Sequence, residues 1–272
     1  MDESTTATLT RPLEAPAPPT TEPWYQRIWR TYVSDVRRDA DARMVMGARA
    51  DRDAALILVT VAVSLTLSEY WARRDGTGLV ASDSQFVQLT AWAIVTIATY
   101  VIPAVLLIRF VLRRPLREFG LRFTGVGAHA WIYVMLFAIA LPVVVIASYG
   151  DAFQAKYPFY EVLPGESFWP GLWVWWGLYW LQFVALEFFF RGFMVHGLAP
   201  RLGWVSIFVM AVPYNMLHFG KPMPEALVAI VGAIVLGTLS LKTGSIWLGA
   251  SLHIAIAITM DLCALLHEGR LF

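Results

Sequence analysis

Charge is scarce in this sequence, and that scarcity excludes an ordinary soluble globular protein. Only 15% of the 272 residues are Asp, Glu, Lys or Arg, whereas 58% are hydrophobic, and the mean hydropathy is +0.58. Soluble domains carry about 25% charged and about 45–50% apolar residues, so this chain has too few charges to cover a water-exposed surface. The sequence therefore predicts an integral membrane protein.

Other features are also missing. Cys263 is the only cysteine, so the chain cannot form a disulfide with itself. The formal net charge is +1, which gives no concentrated basic face, and we expect no nucleic-acid partner. The sequence contains no HExxH metalloprotease helix, no GxSxG nucleophile elbow, and no GxGxxG or Walker loop.

The chain divides into three predicted regions. Residues 1–24 are rich in Pro, Thr, Ala and Glu and are predicted to form a disordered tail. Residues 25–53 combine arginines with apolar residues at a spacing of three to four, which predicts a basic amphipathic helix. That helix could lie on an anionic leaflet or pack on the cytoplasmic face of the protein itself. Residues 54–272 are predicted to be the membrane domain.

Apolar stretches in this domain, separated by short polar joints, predict an all-α polytopic membrane bundle of about seven to eight transmembrane helices. The predicted spans are residues 54–71, 86–112, 129–149, 168–190, 204–219, 225–241 and 245–266. Arginine-rich segments at residues 11–52 and 113–122 are expected on the cytoplasmic side, and the acidic loop at residues 150–167 outside. We therefore expect a multi-pass protein of the cell membrane with a cytoplasmic N-terminus.

Ionisable residues inside apolar spans are functional candidates, because each costs roughly 2.5–3.5 kcal/mol at the bilayer centre on insertion scales. Glu187 and Arg191 lie four residues apart, so they share one helix face. They could form a structural ion pair that locks the helix end. The alternative is a glutamate that acts as a general base in a water-filled cavity, with Arg191 as its structural anchor.

Two more spans carry polar residues. Tyr214 and His218 are four residues apart, and Asn215 is the only asparagine in the chain. His253 lies in the last span, with Asp261 eight residues further on and close to the same face. Either histidine alone is more often a packing residue than a catalytic one.

Glu187, His218 and His253 come from different helices and could meet inside a bundle. Two chemistries would use that set. The three side chains could ligate a zinc ion that activates water. Alternatively, with no metal, glutamate and one histidine could activate water while the other histidine stabilises an oxyanion. The spacing alone leaves both open.

The series Glu187-x-x-x-Arg191-Gly192, Tyr214-x-x-x-His218 and His253 resembles the CPBP family of intramembrane proteases over about residues 169–266. This family includes the type II CAAX prenyl endopeptidases and the bacterial bacteriocin-processing and self-immunity proteins called Abi. The resemblance implies a bundle of about eight membrane helices with a polar cavity, in a bacterial inner membrane. It also implies glutamate peptidase chemistry, earlier described as metalloprotease chemistry. It assigns Glu187, His218 and His253 as catalytic, with Arg191, Tyr214 and Asn215 in support.

Two positions depart from the family pattern. Leu186 stands where the first glutamate of a Glu-Glu pair is expected, and Ala257 stands where an asparagine is expected. Successive helix positions differ by about 100°, so Glu187 takes the place of a base at position 186 only with a rotated helix or a shifted register.

The leading hypothesis is an intramembrane endopeptidase that acts on a membrane-associated peptide or protein. The alternative is a catalytically inactive relative that serves as a membrane binding or immunity scaffold, which Leu186 and Ala257 favour. A transporter or channel is less favoured, because the polar residues are concentrated in the fourth, fifth and seventh predicted spans. We expect no cofactor, with zinc as the alternative.

Overall fold

A computed structural model gives the fold and describes residues 22–73, 77–123, 126–162 and 167–269. Within these residues the architecture is a helical bundle with no β-strand, apart from a single bridge between Leu121 and Ser245. The α-helices are α1 (Trp24–Trp29), α2 (Asp35–Ala42), α3 (Ala48–Trp71), α4 (Gln85–Leu106), α5 (Ala130–Ala147), α6 (Asp151–Gln154), α7 (Gly171–Glu187), α8 (Gly197–Leu202), α9 (Ser206–Met216), α10 (Met223–Thr243) and α11 (Trp247–His267).

π-Helical segments extend several of these helices. They cover Arg30–Ser34 between α1 and α2, Leu107–Leu112 after α4, and Phe188–His196 between α7 and α8. Short 3₁₀ segments lie at Leu116–Phe119, Val126–His129 and Gly203–Val205.

The predicted all-α membrane bundle is confirmed, with one difference in the count of spans. Six helical stretches among the described residues are long and apolar enough to cross a membrane, and one of them runs for 46 residues from Gly171 to Met216. This stretch overlaps both predicted spans 168–190 and 204–219. The second of them corresponds to α9, which has only 11 residues and is therefore about 17 Å long, roughly half of a 30 Å hydrocarbon core.

The helix α3 begins earlier than predicted. It starts at Ala48, after Gly47 at φ 123°, whereas the apolar run begins at residue 54. The extra turns contain Arg49, Asp51 and Arg52, whose charges end the apolar pattern without ending the helix. Residues 1–21 of the predicted tail lie outside the described residues.

The N-terminal helix, which comprises α1, the π-helix Arg30–Ser34 and α2, packs on the bundle through one of its faces. Tyr32 and Val36 are buried, and the Tyr32 hydroxyl lies 3.0 Å from His129 Nδ1. Trp24 and Trp29 on the same helix remain more than 60% exposed. One face of this helix therefore packs on the protein itself, as one of the two sequence-based alternatives predicts. Contact of the exposed face with lipid stays a prediction.

The π-helix Phe188–His196 forms the centre of the hydrophobic core. Phe189, Phe190 and Phe193 are fully buried, and Tyr100 from α4 stacks on Phe189 with ring centroids 4.7 Å apart. Glycine allows a further close approach at Gly192, where an added Cβ would lie 2.5 Å from the carbonyl oxygen of Phe119. The segment that begins one residue after Glu187 is thus held tightly in place.

Candidate active site

Glu187 is the last residue of α7, and its carboxylate is buried inside the bundle. Its side chain is 1% exposed, and that of Arg191 is 0% exposed. Arg191 Nη1 lies 3.2 Å from Glu187 Oε1, which confirms that the two residues share a face. This contact is an ion pair without hydrogen-bond geometry, because the three guanidinium nitrogens have no hydrogen-bond partner among the described residues. The guanidinium also lies over the ring of Tyr214, 4.0 Å from its centroid.

His253, in the second turn of α11, connects this ion pair to α9. Its Nδ1 lies 3.0 Å from Glu187 Oε1, and its Nε2 lies 3.1 Å from the Tyr214 hydroxyl. An ionised carboxylate only accepts hydrogen bonds. In the neutral histidine, Nδ1–H therefore donates to Glu187, and Nε2 accepts from Tyr214 O–H. The three side chains form a continuous hydrogen-bonded series.

Accessibility differs within this series. The side chain of His253 is 18% exposed, compared with 1% for Glu187. One face of the imidazole is covered by Phe183 of α7, whose ring is stacked at a centroid distance of 4.9 Å. A small molecule can therefore reach His253 more readily than Glu187.

His218 lies beside the series but does not bond to its carboxylate. It follows the end of α9, and its Nδ1 lies 3.3 Å from the backbone carbonyl oxygen of Tyr214. Its ring is 5.1 Å from that of Tyr214. Among the described residues, no hydrogen bond or ion pair joins His218 to Glu187 or His253. Tyr214 is the residue that lies against both histidines.

Electrostatics keep His218 neutral near pH 7. Burial, and after it the nearby Lys221 cation, lower the pKa of His218 to about 4. Lys221 itself forms an ion pair with Glu225 at 2.6 Å. A neutral imidazole can accept a hydrogen bond at its remaining nitrogen.

The arrangement does not bring together ligands for zinc. Within the part of the chain that the structure describes, no group of three or more His, Cys, Asp or Glu side chains is placed to hold a metal ion. Of the alternative zinc set, Glu187 and His253 meet, while His218 contacts the backbone carbonyl oxygen of Tyr214.

The other sequence-predicted positions fall around the site. Leu186 packs against the main hydrophobic core, so the side chain at position 187, and not that at 186, faces His253. Ala257 is buried. Asn215 has a buried side-chain oxygen with no partner among the described residues. Asp261 accepts a hydrogen bond from Trp176 Nε1 at 3.1 Å.

Sequence reasoning missed two residues that shape the site. At Gly249 an added Cβ would lie 2.9 Å from Glu187 Oε2, so the absence of a side chain leaves room for the carboxylate. Phe183 covers His253. Each precedes a candidate residue by four positions on the same helix, a spacing that places both on the face of the site.

Comparison with family models adds an independent observation. Residues 167–259 match the model described as type II CAAX prenyl endopeptidase Rce1-like. The matched region is about a third of the chain. It contains the candidate site residues Glu187, Arg191, Tyr214, Asn215, His218 and His253. Comparisons with curated proteins and with solved structures give no match. Residues 167–259 of this multi-pass membrane protein are therefore similar to the Rce1-like type II CAAX prenyl endopeptidases, which confirms the resemblance to the CPBP family over this region.

Proposed function

We propose that this protein is an intramembrane endopeptidase that hydrolyses a peptide bond at or in the membrane. The observation that carries the proposal is the hydrogen-bonded series Glu187, His253 and Tyr214, which lies within the region that matches a protease family. A carboxylate bonded to one nitrogen of an imidazole raises the basicity of the other nitrogen and holds its orientation. Glu187 and His253 then act as one proton-accepting pair.

The proposed reaction begins when the Tyr214 hydroxyl turns from His253 Nε2 to the peptide carbonyl oxygen. This frees Nε2 to accept a hydrogen bond from a water molecule at the accessible side of His253. The pair removes a proton from this water as its oxygen attacks the peptide carbonyl carbon, and a tetrahedral oxyanion forms. The pair then returns the proton to the leaving nitrogen, and the C–N bond breaks. The products are a carboxylic acid and an amine.

Donors for the oxyanion are available beside the pair. Tyr214 carries a hydroxyl that contacts His253, and Arg191 has guanidinium N–H groups without hydrogen-bond partners among the described residues. Preorganised donors of this kind stabilise the charge that develops in acyl transfer. His218 and Asn215 stay in the proposal as polar side chains next to Tyr214, available to water or to the substrate backbone.

The second candidate function is a catalytically inactive relative that binds a membrane peptide or protein without cutting it. Leu186 in the core and the buried Ala257 favour it, because both positions lack the polar group of the family pattern. In that case the series Glu187, His253 and Tyr214 is a structural network.

A cleavage assay in proteoliposomes tests the leading proposal. One membrane-anchored reporter peptide ending in a CAAX sequence is supplied in farnesylated and unprenylated forms, and products are identified by mass spectrometry. We expect Glu187→Gln and His253→Ala to lower the rate at least about 100-fold, the smaller end of the range for general acid–base catalysis. Glu118→Gln, which removes a carboxylate from a pair with Arg114, is the matched control.

The outcomes separate the two candidates. Undiminished cleavage in Glu187→Gln, His218→Ala and His253→Ala would overturn the catalytic assignment. If the wild type cuts neither reporter and the double variant Leu186→Glu, Ala257→Asn gains proteolysis, the protein is a lapsed enzyme. We propose that no metal is resident, so EDTA is expected to leave the cleavage rate unchanged, whereas loss with EDTA and recovery with zinc would overturn that part.

A further inference from the structure

Two adjoining cavities open on the surface between α3 and α4, far along the chain from the catalytic candidates. The first has a volume of about 360 Å³ and apolar walls, lined by Val59, Thr60, Val63, Pro103, Leu106, Leu107, Phe110 and Val111. The second has a volume of about 510 Å³ and is lined by Arg49, Arg52, Phe110, Val111 and Arg113. Phe110 and Val111 line both cavities. The two therefore form one groove, apolar along its length and basic at one end.

The shape of the groove follows from the sequence of α4. Pro103 lies inside this helix and has no N–H to donate, which disturbs helical packing. The chain then continues as the π-helix Leu107–Leu112 and ends at Arg113, which adopts a left-handed conformation with φ 54°. Phe110 lies in this π-helix and is 70% exposed.

Two of the three arginines at the basic end lack an anionic partner among the described residues. Arg49 and Arg113 make no ion pair or hydrogen bond with any described residue, and Arg52 contacts only its neighbour Asp53. Arg49 and Arg52 also lie in the first turns of α3. A helix N-terminus carries a partial positive charge that disfavours cations and attracts anions. An anion bound among these three arginines would give Arg49 and Arg113 an anionic partner. It would also offset the unfavourable position of Arg49 and Arg52 at a helix N-terminus.

We propose that the groove binds one anionic phospholipid, with its phosphate among Arg49, Arg52 and Arg113 and one acyl chain along the apolar walls. Charge complementarity selects the headgroup, because basic pockets beside membrane helices bind anionic lipid headgroups. The length of the groove fits a chain of a single leaflet. Residues 52 to 63 of α3 cover about 17 Å at about 1.5 Å per residue, close to half of a hydrocarbon core about 30 Å thick.

Native mass spectrometry of the full-length protein in detergent tests this site. Phosphatidylglycerol and phosphatidylcholine with identical acyl chains are added separately, and the lipid-bound fraction is measured over a range of lipid concentrations. We expect one retained phosphatidylglycerol and an affinity for it about tenfold or more above that for phosphatidylcholine. Equal retention of the two lipids would overturn the proposal.

Two variants examine the two ends of the groove. Arg49→Gln with Arg113→Gln is expected to lower phosphatidylglycerol affinity about tenfold or more. The matched control, Arg27→Gln with Arg122→Gln, removes the same charge from exposed arginines outside the groove and should keep the wild-type affinity. Val63→Trp fills the apolar part without changing charge, and we expect it also to weaken binding.

Several results would refute the lipid site. These are equal losses in the two arginine pairs, full binding in Val63→Trp, or competition by glycerol phosphate that matches the intact lipid. If the protein formed a dimer that buried the groove and excluded lipid, the lipid site would also be refuted, and the groove would be an interface with a second copy of the chain. Circular dichroism and elution volume establish that each variant is folded. Because these measurements need no protease activity, failure of the lipid site and failure of the proposed function are distinguishable.

Discussion

At the scale of single residues, the charge of Glu187 depends on two neighbours. Its carboxylate is buried, and the same oxygen contacts Arg191 at 3.2 Å and His253 at 3.0 Å. Removing one partner of a buried ion pair typically costs about 3–5 kcal/mol, since an uncompensated charge stays behind. Arg191 therefore supplies the opposite charge beside the Glu187 carboxylate, and the same carboxylate holds His253 in one orientation. The scaffold and the proposed chemistry depend on the same contact.

The space around Glu187 gives the first prediction. Gly249→Ala introduces a Cβ 2.9 Å from Glu187 Oε2, so the carboxylate must move and its bond to His253 is strained. A displacement of about 1 Å at a catalytic group can cost about 100-fold in rate. We expect the cleavage rate in proteoliposomes to fall by about 10- to 100-fold while the protein stays folded.

Gly232→Ala is the control for this prediction. Gly232 lies in α10, and an added Cβ there meets nothing within 4 Å. Its activity should equal that of the wild type. Full activity in Gly249→Ala would mean that the position of the Glu187 carboxylate does not limit the reaction.

His218 supplies a prediction about pH. Its pKa is about 4 in the folded protein because of burial and Lys221, and about 6.5 in an unfolded chain. Between these values the unfolded state binds more protons, so the free energy of unfolding decreases as the pH falls from 6.5 toward 4. We expect His218→Gln to lose less stability over this interval, by about 1 kcal/mol after allowing for solvent screening.

Melting temperatures in detergent between pH 7 and pH 4.5 measure this difference. The wild type and His218→Gln are compared at each pH in the same buffer series. Parallel curves for the two proteins would show that His218 does not titrate differently in the folded and unfolded states.

The contacts of the site could be predicted only in part. The contact of Glu187 with Arg191 follows from a spacing of four, because it is local to one helix. The bond between Glu187 and His253 joins residues 66 positions apart, and no periodicity in the sequence reports it. The placement of His218 against Tyr214, away from Glu187, likewise depends on how α9 ends. Tertiary packing of α7, α9 and α11 decides these contacts.

At the scale of elements, local hydrophobicity predicted the positions of the helices better than their ends. The predicted spans 225–241 and 245–266 correspond closely to α10 and α11. The predicted span 168–190 stops at Arg191, but the helix continues to Leu202. A hydropathy pattern ends at a charge. Here the charge is buried and paired, so the helix does not end with it.

The π-helix gives a prediction at this scale. In Gly192→Ala the added Cβ would lie 2.5 Å from the backbone carbonyl oxygen of Phe119, so the segment Leu116–Phe119 or the π-helix must shift. Overpacking of this kind costs about 1–3 kcal/mol. We expect a lower melting temperature in detergent, together with weaker activity if Glu187 moves with the π-helix.

Gly177→Ala is the matched comparison. Gly177 lies in α7 with nothing within 4 Å of an added Cβ, and alanine favours a helix interior over glycine by about 1 kcal/mol. This variant should be as stable as the wild type or more stable. If the two variants melted at the same temperature, the close approach at Gly192 would not affect the stability of the protein.

At the scale of the whole molecule, the end of the N-terminal helix lies at the same end of the bundle as α8 and the start of α9. Trp204 N–H donates to Asp41 Oδ1 at 2.9 Å, and Val45 N–H donates to the carbonyl oxygen of Pro200 at 2.6 Å. Residues 41–45 therefore lie beside the turn that follows α8. The opposite end of the same helical run begins at Gly171.

The length of that run separates its ends across the membrane. From Gly171 to Leu202 the chain is helical for 32 residues, or about 48 Å at about 1.5 Å per residue, which exceeds a hydrocarbon core of about 30 Å. Residues 41–45 and residue 167 should then face opposite compartments. The arginine bias predicts that the N-terminal side faces the cytoplasm.

Cysteine labelling tests this topology. In a Cys263→Ala background, which removes the only native cysteine, Arg43→Cys and Ser167→Cys each introduce one exposed thiol. With a membrane-impermeant maleimide on intact cells, we expect Ser167→Cys to react and Arg43→Cys to react only after permeabilisation. The reverse pattern would invert the predicted orientation. Labelling of both thiols in intact cells would contradict a membrane-spanning run from Gly171 to Leu202, and with it the placement of Glu187 inside the bilayer.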